Sequence, residues 1–297
     1  MSATRDRFGL SAAMTLPVQT DGAIDLPRLV AHAGWCLANG CDSVTAFGTT
    51  GEGPSIGLAD RYRITGALLG AGIPGRKIVG GLAATSLDEA LAQARLTLDA
   101  GCRALLLPPP YYFKGVSDDG LFAWFAAFFE KLGGAARDVI LYNIPSVTEV
   151  PLSVALIGRL KAAFPGIVAG VKDSSGDWAY TEALLAAHGD LVILIGDERY
   201  LAQGVALGGQ GSISGLANVC PDRLARLIDR AEPDEGISRL VELVLKYPVT
   251  PAVKALVAHR TGDPAWLNVR PPLVPISVSD AAAIGAGYDA IFNRRAA

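Results

Sequence analysis

The sequence predicts an α/β protein, a (β/α)8 TIM barrel with a C-terminal helical extension. Short apolar runs closed by Gly, Thr or Pro alternate with longer segments whose apolar residues recur at helical spacing. Eight such runs precede residue 220. Most are continuous rather than alternating in polarity, the pattern of parallel strands covered on both faces. A barrel closes such strands without an exposed edge. A doubly wound sheet is the competing fold, but it normally carries GxGxxG after its first strand, and here the first run leads into Pro17-Val18-Gln19-Thr20-Asp21-Gly22.

In chain order, strands are expected at residues 12–16, 43–47, 77–81, 104–107, 139–142, 168–172, 192–195 and 211–214. Segments 26–39, 58–71, 86–98 and 121–132 carry the helical period and are long enough to be crossover helices. After Asn218 the strand pattern stops, and 221–230, 234–246, 251–259 and 279–289 read as helices. Pro221 and Pro251 suit a first helical turn, while Arg270-Pro271-Pro272-Leu273-Val274-Pro275 must be an extended connection. No Gly/Ser linker intervenes, so the expected organisation is a barrel over 1–220 with an extension over 221–297 packed on it.

Composition excludes several functions. A chain of 297 residues, 51% of them hydrophobic, builds a core without disulfide or metal staples. With 26 Lys and Arg against 29 Asp and Glu, the net charge of −3 provides no positive field for nucleic acid or an anionic membrane. Mean hydropathy is high, at +0.34, yet every apolar run breaks before the roughly 18 residues a membrane span needs. The N-terminal Met1-Ser2-Ala3-Thr4-Arg5-Asp6-Arg7 leads into no signal-peptide core, so a cytoplasmic location is expected. Cys36, Cys41, Cys102 and Cys220 form no CxxC pair and lie in apolar segments, as small buried hydrophobes do. His32, His188 and His259 match no metal motif, and neither a metal nor an organic cofactor is expected.

Barrel chemistry collects at the carboxyl ends of the strands. The second run ends in Phe47-Gly48-Thr49-Thr50-Gly51-Glu52-Gly53, which combines two hydroxyls, exposed amides and Gly residues that admit a small ligand. The fifth ends in Tyr142-Asn143-Ile144-Pro145 and the sixth in Gly170-Val171-Lys172-Asp173-Ser174-Ser175-Gly176. An amine at the end of an apolar strand can be desolvated and attack a carbonyl to form a Schiff base; a solvated rim lysine paired with Asp173 is the alternative. Tyr142, one strand away, could exchange protons if Thr49 or Thr50 links its phenol onward, or it could simply pack. Stiff Pro108-Pro109-Pro110 could aim Tyr111 or Tyr112 into the barrel mouth or across a subunit interface.

Together these segments, with Gly211-Ser212-Ile213-Ser214-Gly215, resemble the dihydrodipicolinate synthase and N-acetylneuraminate lyase family of pyruvate-dependent class I aldolases. The resemblance covers nearly the whole chain. It implies that Lys172 is the Schiff-base lysine, Tyr142 the central acid/base and Thr50 the relay hydroxyl. Thr49 and the amides around Gly48 and Gly51 would hold the keto-acid carboxylate, and Ile213 would border the pyruvyl group. Tyr112 resembles the tyrosine that crosses a tight dimer interface, and a homotetramer built from such dimers is implied.

One departure bears on the second substrate. Val147 stands where dihydrodipicolinate synthases usually carry an arginine for the carboxylate of aspartate semialdehyde, and an isopropyl group cannot replace that fork. The Tyr-Asn-Ile-Pro and Lys-Asp-Ser-Ser-Gly segments instead resemble members that handle 2-keto-3-deoxy sugar acids. Asp173, Ser174, Ser175, Asp197 and Glu198 are then candidates to bind hydroxyls, with helix capping and surface solvation as their ordinary alternatives. The expected function is a pyruvate-forming or pyruvate-using aldolase or lyase acting on a 2-keto-3-deoxy sugar acid or similar small 2-keto acid. Aspartate semialdehyde condensation, a 2-keto-3-deoxy acid dehydratase and a catalytically silent keto-acid binding protein are the alternatives.

Overall fold

The eight runs pair side by side in chain order, all parallel, and the last hydrogen-bonds to the first to close a barrel. The computed structural model describes residues 7–292. The strands are β1 Gly9–Ala13, β2 Ser43–Ala46, β3 Ile78–Gly81, β4 Ala104–Leu107, β5 Val139–Asn143, β6 Val168–Asp173, β7 Val192–Ile195 and β8 Gly211–Ser214. Side chains alternate between two compartments. Val79, Leu106, Ile140, Leu194 and Ile213 fill the barrel interior, whereas Val139, Leu141, Val171 and Ile193 point out toward the helices. Phe8 joins the interior cluster, with the Arg103 guanidinium over its ring.

β1 lies three residues earlier than its apolar run predicts. Pairing of Gly9 with Gly211 and Ser11 with Ser43 fixes its register. The Met14 amide makes the last bond to β2, to Thr45 O at 3.0 Å, and Thr15 and Leu16 have left the ladder, with the Thr15 amide donating to Asn218 Oδ1 at 3.1 Å. They are buried all the same, and burial rather than pairing is what the apolar run encoded. Lys77 likewise lies in a short 3₁₀ turn ahead of β3.

The ring of helices is α1 Leu26–Ala38, α2 Leu58–Gly70, α3 Leu87–Asp99, α4 Asp118–Leu132, a single turn α5 Pro145–Thr148, then α6 Val154–Ala163, α7 Trp178–His188, α8 Leu201–Ala206 and α9 Pro221–Arg230. Helix α4 starts three residues before its apolar stripe because Ser117 caps it, accepting from the Gly120 amide at 3.2 Å. Beyond α9 come α10 Glu235–Val244, α11 Val249–Thr261 and α12 Val278–Phe292. Helix α11 is buried continuously from Thr250 to Ala258, as befits a helix with partners on every side. All four cysteines are buried. No helix among the described residues is long and apolar enough to cross a membrane.

Candidate active site

The β5–β6 register sets Tyr142 directly beside Lys172, and both side chains point into the barrel by the alternation described above. Lys172 Nζ donates to the Tyr142 hydroxyl at 3.2 Å and lies 4.3 Å from the ring centroid. Both residues are buried among Leu194, Ile213 and Ile140. Their neighbours on the outer face are locked. Asp173 takes Asn143 Nδ2 at 3.0 Å, the Ser175 amide at 3.0 Å, Ser175 Oγ at 3.2 Å and Thr181 Oγ1 at 2.6 Å. The other end of the Asn143 amide accepts from Leu152 N at 3.0 Å. Strands β5 and β6 are thereby held together at the height where the amine and phenol meet.

Lys172 and Tyr142 open into a cavity of about 460 Å³. Thr49 and Thr50 stand on its β2 side, and Ser174, Ser175, Asp197 and Glu198 on the side of β6 and β7. The loop after β2 is tightly constrained. Phe47 and Glu52 adopt positive φ, of 64° and 55°. A Cβ on Gly53 would sit 1.9 Å from the Phe47 carbonyl oxygen, so only Gly fits there. Arg61, wholly buried, donates to the carbonyls of Ile56, Gly81 and Gly53 at 3.0, 2.7 and 2.9 Å and lies over the Phe47 ring. Burial pushes its pKa down to about 10. The amides of Thr49 and Thr50 find no acceptor among the described residues, and such a pair of donors on a cavity wall suits a carboxylate.

The remaining predicted residues fall into different settings. Ile213 and Val147 line the cavity, Val147 at its exposed rim. Gly48 borders a second, apolar cavity of about 160 Å³ that shares Thr49, Tyr142, Ile144 and Val147 with the first. Gly51 lines neither cavity; a Cβ there would meet the Met14 carbonyl oxygen at 2.5 Å, so its role is close packing. Asp173 does not reach the cavity, because the strand alternation that turns Lys172 inward turns it outward onto the four donors named above. Its expectation as a hydroxyl binder is thus corrected to one of holding the strand ends. Asp197 does line the cavity, with its carboxylate gripping Arg199 at 3.0 and 2.6 Å. Glu198 accepts from Ser214 Oγ at 2.5 Å, and burial pushes its carboxyl above the usual range against the pull of Ser214 and Lys172. No hydrogen bond joins Tyr142 to Thr49 or Thr50 among the described residues. Tyr112 stands outside both cavities, 74% exposed and edge-on to Phe113, while Tyr111 lines the smaller one.

Two features of the cavity escaped sequence reasoning. Arg199 contributes a guanidinium to the wall, and a lone Arg two residues after an Asp carries no motif. Helices α10 and α11 supply an apolar wall of Val241, Val244, Val249 and Val253. Their helical period was legible, but nothing in it shows which barrel end they cover.

A model of the dihydrodipicolinate synthetase family matches residues 6–287. The chain belongs to that family. A crystal structure of dihydrodipicolinate synthase from Agrobacterium tumefaciens str. C58 is 57% identical, superposes with a TM-score of 0.95, and is covered over 96% of this chain and 100% of its own. An uncharacterized DapA-like lyase of Chloroflexus aurantiacus is 34% identical over 95% of this chain and 96% of its own length. The chloride inhibited dihydrodipicolinate synthase from Acinetobacter baumannii, solved with pyruvate, is 26% identical with a TM-score of 0.83, over 97% and 99% of the two chains. As a member of the dihydrodipicolinate synthetase family, the protein is a class I, Schiff-base carbon–carbon lyase or aldolase that acts on a small 2-keto acid.

Proposed function

We propose that this enzyme cleaves or forms a 2-keto-3-deoxy sugar acid through a Schiff base on Lys172. The observation that carries this is the pairing of a buried amine and a phenol, 3.2 Å apart, at the floor of a cavity whose far wall bears Ser174, Ser175, Asp197 and Glu198. The Lys172 lone pair attacks the C2 carbonyl to give a carbinolamine, and water leaves to give a cationic imine. In the cleavage direction the C4 hydroxyl loses its proton, the C3–C4 bond breaks, an aldehyde departs, and the electron pair enters the imine as an enamine. Protonation at C3 and hydrolysis then release pyruvate. Tyr142 carries protons to and from the oxygen of the carbinolamine and the C4 hydroxyl. The free amides of Thr49 and Thr50 receive the carboxylate at little reorganisation cost. Thr50 serves the phenol as relay hydroxyl once substrate is bound.

The exposed Val147 at the rim supports this substrate class, since it can clamp no second carboxylate. One observation favours the alternative, condensation of pyruvate with aspartate semialdehyde. Arg199 lines the cavity across from Val147 with its guanidinium paired to Asp197, an exchangeable partner for a substrate carboxylate, and the Agrobacterium relative bears that name. Tyr112 reaches the site of a neighbouring subunit in a tight dimer, two of which form a tetramer in the cytoplasm. Its exposure on the single chain accords with that role.

Borohydride reduction in the presence of pyruvate, with intact-mass and peptide analysis, tests the mechanism. An adduct confined to Lys172 is expected, and none there refutes it. Parallel assays of aspartate semialdehyde condensation and of 2-keto-3-deoxy sugar acid cleavage separate the two substrates.

A further inference from the structure

We infer that Lys254, on helix α11 beyond the barrel, is a positioning residue for the substrate carboxylate, acting through Glu52 on the Thr49–Thr50 loop. This rests on the reading that the amides of that loop receive the carboxylate. The Lys254 ammonium pairs with Glu52 Oε1, both side chains being wholly buried, across 202 positions of sequence. The other carboxylate oxygen of Glu52 accepts from the Arg270 amide at 2.7 Å. Arg270 in turn anchors itself on Gly22 O at 2.9 Å, Ser55 O at 3.1 Å and Asp60 Oδ2 at 3.0 Å. Glu52 is thus held from two sides by the segment after the barrel.

Glu52 is also the residue that closes the loop. Its amide donates to the Thr49 carbonyl at 3.1 Å with its backbone at positive φ, while the Gly51 and Gly53 amides both return to Gly48 O. The same carbonyl of Thr49 accepts from Thr250 Oγ1 at 3.4 Å. Thr250, Val253 and Lys254 stand at helix positions i, i+3 and i+4, so a single face of α11 meets this loop, with Val253 on the cavity wall. Lys254 itself does not line the cavity, so it cannot act on substrate directly. A buried ion pair adds little net stability compared with an apolar filling, and its best-attested use is to impose one arrangement where others compete. Here the imposed arrangement is the orientation of two amides.

The test compares two ketones that trap on Lys172, pyruvate and acetone, the second lacking the carboxylate. The double variant Lys254→Met with Glu52→Gln removes both charges together and leaves no lone buried ion. Expected is a denaturation midpoint close to wild type, a half-saturating pyruvate concentration raised about tenfold or more, an unchanged maximum adduct, and acetone trapping within about twofold. Pyruvate and acetone trapping that fall together, or that both stay at wild-type values, overturn the inference. Should the double variant fail to fold, Thr250→Val must show the same pyruvate-selective loss at smaller size, about threefold, and equal effects on both ketones reject the idea. Wild-type protein that forms no pyruvate adduct removes the functional reading and this inference with it, an outcome distinct from a variant that traps both ketones normally.

Discussion

Replacing Tyr142 with Phe removes one oxygen from the barrel interior and leaves almost everything else in place. The ring keeps its contact with Lys172 Nζ, now 4.3 Å from its centroid, and its packing among Ile140, Leu194 and Ile213. The only hydrogen bond lost is the one of 3.2 Å to Nζ, so stability should change by about 1 kcal/mol. The chemical cost is larger. Proton transfer by a positioned phenol is worth about 100- to 10,000-fold, or about 3–5 kcal/mol of barrier. The assay follows the time course of borohydride-trapped pyruvate together with steady-state cleavage of a 2-keto-3-deoxy sugar acid. The variant should reach wild-type occupancy of Lys172 at long times while imine formation and cleavage both slow by that factor. Rates within about threefold of wild type, with the fold intact, would refute the assignment of Tyr142 as the proton carrier.

Other perturbations separate stability from specificity. Glu198 holds its proton more tightly in the folded protein than at its ordinary 4.5, so its contribution to stability is fullest below that pH and falls as pH rises through the raised value. Glu198→Gln should flatten this decline in urea midpoints taken from about pH 4 to 8, and parallel profiles would contradict the shift. Arg61→Met removes three charge-assisted bonds to carbonyls, of which Gly53 O keeps the Ile56 amide at 3.1 Å, each such bond being worth about 1.5–3 kcal/mol, and relieves about 3 kcal/mol of desolvation implied by the fall from 12.5 to about 10. A net loss of about 2–5 kcal/mol by denaturant titration is expected, and a loss under about 1 kcal/mol would show that the loop does not depend on this clamp. Val147→Arg should lower sugar-acid turnover by about tenfold or more and alter pyruvate trapping by less than about threefold; equal impairment would move Val147 into the shared scaffold.

The barrel was legible because its signals are local. Continuous apolar runs, their Gly and Thr stops and the intervening helical period each follow from burial on both faces of a parallel sheet. The Lys172–Tyr142 encounter was legible too, since adjacent strands of a barrel bring equivalent positions together. What failed was parity and distance. Asp173 is one residue from Lys172 in sequence yet on the other side of the sheet, because successive side chains alternate. The displaced β1 shows that apolar residues record burial, not pairing. Arg199 and the α11 contacts were illegible because each depends on how distant segments pack, which no local pattern reports.

The amine and phenol stand on neighbouring strands of a closed ring, and their spacing is set by the same backbone hydrogen bonds that set the circumference of the ring. Their spacing therefore rests on the ladder rather than on the residues that line the mouth. The rest of the cavity wall belongs to other parts of the chain, namely the turns after β5, β6 and β7 and the valines of α10 and α11. On the proposed reading, bond-making is built into the scaffold, while selectivity resides in pieces that can be exchanged one at a time. A change of substrate would then require altering a few side chains on two helices and three turns, with the reaction itself inherited unchanged.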